Sequence, residues 1–445
     1  MSSVAASSNN YLIVPIVLLF TLLGTAVVRA PTLVTEAGIG SGIIVAAPVV
    51  LATYSLMVLA VSGRGTVDLA VGPLLAFINV VVVKLSTNGI LTSPIATFIV
   101  AIGLGMIYQF VFALIIIFIR VQPIIVALSG FLALTGINLI ILPRPGGVAP
   151  EFMMGWGAGT EIFSPVLLIV VIATLGWYLF TASSFYSNLK MTGFDEKAAW
   201  TSGIRTDVVR IGAHLIAGIY VGLGAICYTA LISSGDPTQG QNMTLTAVTA
   251  LVLGGISLTG GRGGATGALV GALSLWLIGY VLATFNFGAI QAFMTQMVYG
   301  LVLVISLLLT LLVPVISRHL SLVSPWTVSM FLGLIVCAIM LQVANVAQYN
   351  SMGEELVSGS LAEKYFLINP ASLNTSDYLN FSVPWISFLF VLGLTGFGFS
   401  FKLVSSISKI QKMGLITYFL VVLLLLGLFT IIFMQSGFQS AGTKP

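Results

Sequence analysis

The chain has 445 residues, 6% of them charged and 58% hydrophobic, with a net charge of +4 and a mean hydropathy of +1.14. Soluble domains carry roughly a quarter charged residues, so a water-facing globule is excluded and the outer surface must face lipid. The small net charge follows loop placement and gives no ground for nucleic-acid binding. In lipid every backbone N–H and C=O has to be paired internally, which leaves helices or closed barrels. The apolar runs last about 17–25 residues, the length of helical spans rather than of alternating barrel strands. The predicted class is all-α: a polytopic transmembrane helical bundle.

In chain order, Met1–Asn10 carries no positive charge ahead of the first apolar run, which argues for a retained first span rather than a cleaved signal peptide. Spans are predicted at 11–28, 41–61, 66–86, 93–119, 121–143 and 164–181. After a polar stretch come 208–233, 244–259, 265–284 and 291–313, then 322–343, 384–401 and 414–435. The loop 182–210 holds Lys190, Lys197, Arg205 and Arg210, and short cationic loops favour the cytoplasm. Counting from it puts the N-terminus, Arg262, Arg318, Lys402, Lys409 and Lys412 inside, and the C-terminus outside. The acidic loop 344–383, with Glu354, Glu355, Glu363 and Asp377, falls outside, as does Arg144 against the rule. Residues 1–318 thus form one unit of about ten spans, and 319–445 an additional module of about three.

Three interruptions between spans stand out. Gly63 and Gly65 break the chain ahead of Asp68 and Gly72. An ionisable group at a membrane-helix boundary is a functional candidate; Asp68 also suits an N-cap for the next span, and the two roles can coexist. In the polar loop, Asp195 is a good N-cap, Glu196 suits the positive end of a helix dipole and Gly203 suits the position after the last turn. A two-turn helix is expected there, with Ala198 and Ala199 as a slim face for a soluble partner. An ordinary connecting helix is the alternative. Gly254, Gly255, Gly260, Gly261 and Arg262 form a glycine-rich turn that lacks the Gly-Lys-Ser/Thr ending of a phosphate loop. Beyond it Gly263, Gly267 and Gly271 make a small-residue stripe for close helix packing. Gly-Arg-Gly recurs at 63–65 and 261–263 and hints at an internal repeat.

No Ser/His/Asp cluster, carboxylate pair or metal-ligand spacing points to an enzyme. His214 and His319 are too few and too far apart for a histidine metal site, and Cys227 and Cys337 read as buried small hydrophobes. Without the row of intramembrane acids expected of proton- or sodium-coupled pumps, the energy for any solute movement is expected to come from another subunit. Asn79, Asn138, Asn286, Gln291 and Gln296 are polar residues in or beside apolar spans. They are candidates for a translocation path or, equally, interhelical hydrogen-bonding groups.

Taken together these segments resemble the permease subunits of bacterial ABC importers of the ribose/simple-sugar type. Asp68-Leu-Ala-Val-Gly72 matches that family's Asp-Leu-Ser-Val-Gly with Ala70 for Ser. Glu196-Lys-Ala-Ala…Ser202-Gly-Ile204 matches its Asn-Glu-Ala-Ala…Ser-Gly-Ile with Lys197 inserted. Asp236-Pro-Thr-x-Gly240 and the run from Leu253 to Gly263 follow in the same order. The resemblance implies about ten spans per permease, paired as a homodimer or with a second permease, with the path at the interface. It implies cytoplasmic ATP-binding subunits that hold ATP-Mg, an extracytoplasmic solute-binding protein, and no cofactor on this chain. Asp195, Glu196, Lys197, Ala198, Ala199, Trp200 and Gly203 become a coupling helix seated in the ATPase. The family's Asn-Asn-Gly after the glycine-rich turn is replaced by Leu282-Ala283-Thr284, with Asn286 retained. A facilitator or secondary transporter using Asp68 is the alternative reading, and a membrane scaffold or sensor acting through residues beyond 320 is a third.

Overall fold

Coiling is the one way for a single apolar stretch to satisfy its own peptide groups in lipid, and the described residues are accordingly mostly helical. The computed structural model describes residues 12–305 except 64–65, 160, 286, 288–289 and 291–292, together with 329, 332–333 and 336. Two units are distinguished, Met1–Ile368 and Asn369–Pro445, and every described residue belongs to the first. Apart from those last scattered positions, the predicted module 319–445 lies outside the described residues.

The helices are α1 (Ile13–Arg29), α2 (Glu36–Ser62), α3 (Val71–Thr87), α4 (Pro94–Leu114, continued by a π-helical turn Ile115–Ile119), α5 (Pro123–Ile141) and α6 (Pro165–Thr181). Then follow α7 (Ser184–Phe194), α8 (Glu196–Thr201), α9 (Thr206–Ile232), α10 (Gly240–Leu253), α11 (Ala265–Ala283) and α12 (Phe293–Ile305). Five of them, α2, extended α4, α5, α9 and α11, are long and apolar enough to cross a membrane, and α6 reaches that length only together with α7, from which it is bent by 81°. The shorter apolar helices α1, α3, α10 and α12 coincide with the remaining predicted spans up to residue 313. Helix starts follow local chemistry. Proline opens α4, α5 and α6, where its missing N–H costs nothing, and the Thr35 hydroxyl accepts from Gly38 N–H at 3.0 Å to start α2.

The centre of the unit is α2, 83% buried over its most apolar stretch, against 28% for α4 and 22% for α5. Apolar residues on α4, α5 and α6 such as Ile107, Ile140 and Leu179 point outward, as a surface solvated by lipid allows. With no hydrophobic force between helices in lipid, close backbone approach has to hold them together. Gly105 of α4 faces Gly218 of α9, and Gly222 lies against Ala101 and Ile102. The predicted stripe is such a seam: Gly267 and Gly271 of α11 pack on Gly254 and Ala250. At the start of the unit, Ala26 and Val27 of α1 bury against Leu277 and Trp276 of α11.

An inverted arrangement repeats along the described chain. The 27-residue α2 is followed by Gly63 and 66–70, which are non-helical, and then by the 17-residue α3. The 27-residue α9 is followed by a non-helical stretch, 233–239, and the 14-residue α10. The two short helices run in opposite directions and their first turns meet where Gly72 touches Gly240. Gly-Arg-Gly does not mark equivalent places of this repeat: its first copy follows the long helix α2, and its second, at 261–263, follows the short helix α10.

Loop ends sort into two sets, as alternating spans require. Residues 62–63, 66–70, 182–205 and 254–264 share one end, where Gly63, Gly193 and Gly260 are in contact. At the opposite end Arg29 Nε donates to Thr284 Oγ1 at 3.1 Å and stacks 4.1 Å above the Phe285 ring. There too Gly146 and Gly235 exchange backbone hydrogen bonds of 3.0 and 2.9 Å, and Val148 N–H reaches Thr87 Oγ1 at 3.1 Å. Arg144 stands at this second end as expected, but it is not alone: Arg29 and Lys84 are helical residues there as well. Span counting assigns loops and overlooked cations inside helix ends.

Candidate functional site

The interruptions read separately in the sequence converge at one end of the bundle. Gly63 closes α2 at φ +90°, its N–H donating to Ala60 C=O at 3.1 Å. Gly193, in the last turn of α7, lies so close that a methyl group would strike the Val61 carbonyl and sit 2.8 Å from Gly261 N. The β-carbon of any residue replacing Gly260 would come within 2.6 Å of Gly63 Cα. Gly261 N–H donates to Val61 C=O at 3.2 Å, and Ser257 N–H to Arg262 C=O at 3.2 Å. Backbone rests on backbone here, so the ends of α2, α7 and α10 form one glycine junction. Gly254 ends α10 against Gly267, Gly255 turns the chain at φ +72°, and Arg262 is exposed. Gly65 lies outside the described residues.

From this junction the chain enters α8, shorter than the expected two turns at six residues. Asp195 Oδ1 accepts from Ala198 N–H at 3.1 Å and starts it. At its end Gly203 N–H bonds Trp200 C=O at 3.0 Å and Ile204 N–H bonds Ala199 C=O at 3.1 Å, with Gly203 at φ +86°. That is a Schellman stop, which places glycine where a Cβ would be strained. Glu196 Oε2 pairs with Arg210 Nη2 of α9 at 3.4 Å, tying the short helix to a long one. The expected slim face divides: Ala199 is buried, whereas Lys197, Ala198 and Trp200 face outward, Trp200 with 70% of its surface free. Phe194 just before α8 and Val208 in the first turn of α9 are exposed as well.

A second polar cluster lies deeper. Asp68, wholly buried, accepts from Ala70 N–H at 2.8 Å and from Gln109 Nε2 of α4 at 2.6 Å. The cap and the interhelical contact therefore coexist, although the residue before α3 is Ala70 rather than Asp68. Gln109 Oε1, an acceptor, takes a bond of 2.8 Å from Nδ1 of His214 on α9. His214 lies about 12 Å along α9 from its start at Thr206. Above this, Gly72 N–H donates to Thr244 Oγ1 of α10 at 3.0 Å, which in turn donates to Leu69 C=O at 3.0 Å. Asn138 Nδ2 of α5 holds Pro73 C=O at 3.0 Å.

The other polar candidates are dispersed. Asn79 donates to Thr229 Oγ1 at 2.9 Å and Ser234 C=O at 3.1 Å and accepts from Asp236 N–H at 2.9 Å, fastening 233–239 beside α3. Within this chain Asn79 and Asn138 are buried groups that join helices. Gln296 is exposed on α12, and Asn286 and Gln291 lie outside the described residues. Gln109, Thr244 and Gly193 escaped notice in the sequence. A lone amide in an apolar run singled out Asn79, and the same signal was available for Gln109.

The family described as branched-chain amino acid transport system / permease component matches residues 38–307, from the first turn of α2 to just beyond α12. The chain is 30% identical over 250 residues to the ribose import permease protein of Bacillus subtilis (strain 168), covering 55% of this chain and 76% of that protein. It is 28% identical over 266 residues to the ribose import permease protein of Escherichia coli (strain K12), covering 58% and 80%. With the D-allose transport system permease protein of that strain it shares 26% over 240 residues, covering 53% and 72%. No solved structure matches the chain. The matched stretch holds the glycine junction, α8 and the buried Asp68 cluster, and the chain belongs to the family of branched-chain amino acid transport system permease components.

Proposed function

We propose that this chain is the membrane-spanning subunit of an ATP-driven ABC importer and forms the path for a sugar or related small polar solute. The observation that carries the reading is α8: a six-residue helix capped at both ends, following a glycine junction and presenting an exposed Trp200 between exposed Phe194 and Val208 along the chain. In this reading α8 is the coupling helix. Its end of the bundle faces the cytoplasm of a cell-membrane protein whose N-terminus is also inside and whose C-terminus is outside. Cytoplasmic ATP-binding subunits receive α8 and hold ATP-Mg, an extracytoplasmic protein delivers the solute, and a second permease, identical or related, completes the path.

The glycine-rich turn supports ATP chemistry on a partner. Its Ser257 and Gly261 N–H groups already bond carbonyls of the chain itself, unlike a cradle left open for phosphate. The relatives named for ribose import and D-allose transport favour a sugar over an amino acid. Asp68 serves the facilitator alternative poorly, since each carboxylate oxygen is held by the protein.

Ala198→Arg tests the docking. It projects charge from the exposed face, and we expect co-purification with the ATP-binding subunits to fail while the melting temperature of the permease is unchanged. Reconstituted permease that moves ribose, xylose or allose with no ATP-binding subunit would establish the facilitator instead.

A further inference from the structure

Docking of α8 explains the end of the bundle but gives no role to the ionisable groups buried beneath it. Two runs of polar side chains, joined through one turn of α9 between Arg210 and His214, lead from one to the other. Glu196, the first residue of α8, pairs with Arg210 at 3.4 Å. His214 stands one turn further along the same face of α9, because residues four apart on a helix lie one above the other. Its Nδ1 meets Gln109 Oε1 at 2.8 Å, Gln109 Nε2 meets Asp68 Oδ2 at 2.6 Å, and Asp68 Oδ1 meets Ala70 N at 2.8 Å, one residue before α3. Asp68 and Gln109 are wholly buried, and His214 and Arg210 are 3% and 5% exposed.

Such groups are costly inside an apolar bundle unless each keeps its partner, and losing one member strands the rest. The line therefore resists being pulled apart. Its surroundings differ in stiffness: α9 is a continuous 27-residue helix, whereas 66–70, just ahead of α3, is non-helical and can bend without breaking a helical ladder. Without the line, a push on α8 would be absorbed where the chain bends. With it, the base of α3 is tied to α9 and α4 and must follow.

We propose that Glu196, Arg210, His214, Gln109 and Asp68 form a coupling line that carries displacement of α8 to the base of α3, with Gln109 and His214 as its positioning residues. The proposal rests on α8 being the helix that docks the ATP-binding subunit. Its consequence is that α3 and the first turn of α10, which meets it at Gly72, move when nucleotide closes the ATPase.

The test uses the full permease with its ATP-binding subunits in liposomes, Cys337 replaced by serine, and spin labels at Arg205→Cys just after α8 and Asn88→Cys at the far end of α3. Both sites are exposed, and Cys227 is buried and protected. ATP with vanadate should change the distance between the labels. Gln109→Met, of similar length without hydrogen-bonding groups, and Glu196→Gln should each remove about half or more of that change. The double variant should lose no more than the worse single one, since both cut one line. His214→Asn, which keeps a donor toward Gln109, should retain the response that His214→Leu loses, and this pair decides the matter if Gln109→Met does not fold. Full shifts in the variants, losses that sum in the double, or a docked wild-type complex with no shift would each overturn the line. Failure of wild-type permease to bind its ATP-binding subunits would instead overturn the docking reading.

Discussion

Gly72 and Gly240 show what a single hydrogen in place of a methyl group permits. A β-carbon on Gly72 would collide with the Gly240 carbonyl and sit 2.8 Å from Thr244 N. The obstruction is backbone, which cannot turn aside. Gly72→Ala should therefore cost about 1–3 kcal/mol, read as a lower melting temperature in detergent. Gly264→Ala, with nothing within 4 Å and an extended φ of −178°, should leave the melting temperature unchanged. Equal effects at both positions would mean that the close approach is not what holds α3 on α10. Asn79 makes a separate case. Replacing it with leucine strands the Asp236 N–H and Ser234 C=O that it now pairs. A cost of roughly 0.6–2 kcal/mol is expected for interhelical hydrogen bonds in lipid, with faster hydrogen exchange across 233–239. If solute selectivity changed and stability did not, Asn79 would line the path rather than join helices.

At the scale of elements, α8 is far below the roughly 12–15 residues at which an isolated helix becomes stable. Its existence depends on the Asp195 cap, the Schellman stop and the Glu196–Arg210 pair. Asp195→Ala should cost about 1 kcal/mol of local helix stability. Gly203→Ala should cost about 1–2 kcal/mol, because its position at φ +86° is strained for any side chain although space is open around it. Each variant should weaken binding of the ATP-binding subunit several-fold without lowering the melting temperature of the spans. Binding that survives both changes would show that docking does not need a preformed α8. Ala199 is a poorer probe than Ala198, because it is buried and a larger side chain there disturbs packing before it meets any partner.

At the scale of the molecule, the two sets of loop ends predict sidedness. A membrane-impermeant maleimide applied to intact cells should label Glu151→Cys and leave Lys197→Cys unlabelled until the membrane is opened. Both side chains are exposed and their loops lie at opposite ends. The reverse pattern would turn the protein over and place α8 outside, where no ATP-binding subunit could reach it. Cationic loops support the expected orientation, with Lys190, Lys197, Arg205 and Arg262 at the α8 end. Arg29, at the opposite end, is engaged with Thr284 and Phe285 and thus serves helix joining as well as topology.

Membrane placement, the apolar helices up to residue 305 and the short capped helix were legible in the sequence, because each depends on local quantities. Apolar run length decides whether a segment can be in lipid, and a cap or a glycine at positive φ acts within a few residues of itself. The start of α3 was less legible: the span expected at 66–86 begins at Val71, because Asp68 turns toward Ala70 and Gln109 instead of entering the helix. Composition could not show that. Nor could any spacing reveal that Gly63, Gly193 and Gly260 rest on one another, or that Gln109 joins Asp68 to His214, since these pairings cross between distant segments. The sequence by itself determined that this chain spans the membrane, which family it resembles and where its spans are interrupted. Only the tertiary structure decided that the interruptions are a single site, because backbone-to-backbone contact and buried hydrogen bonds exist only once the helices have packed.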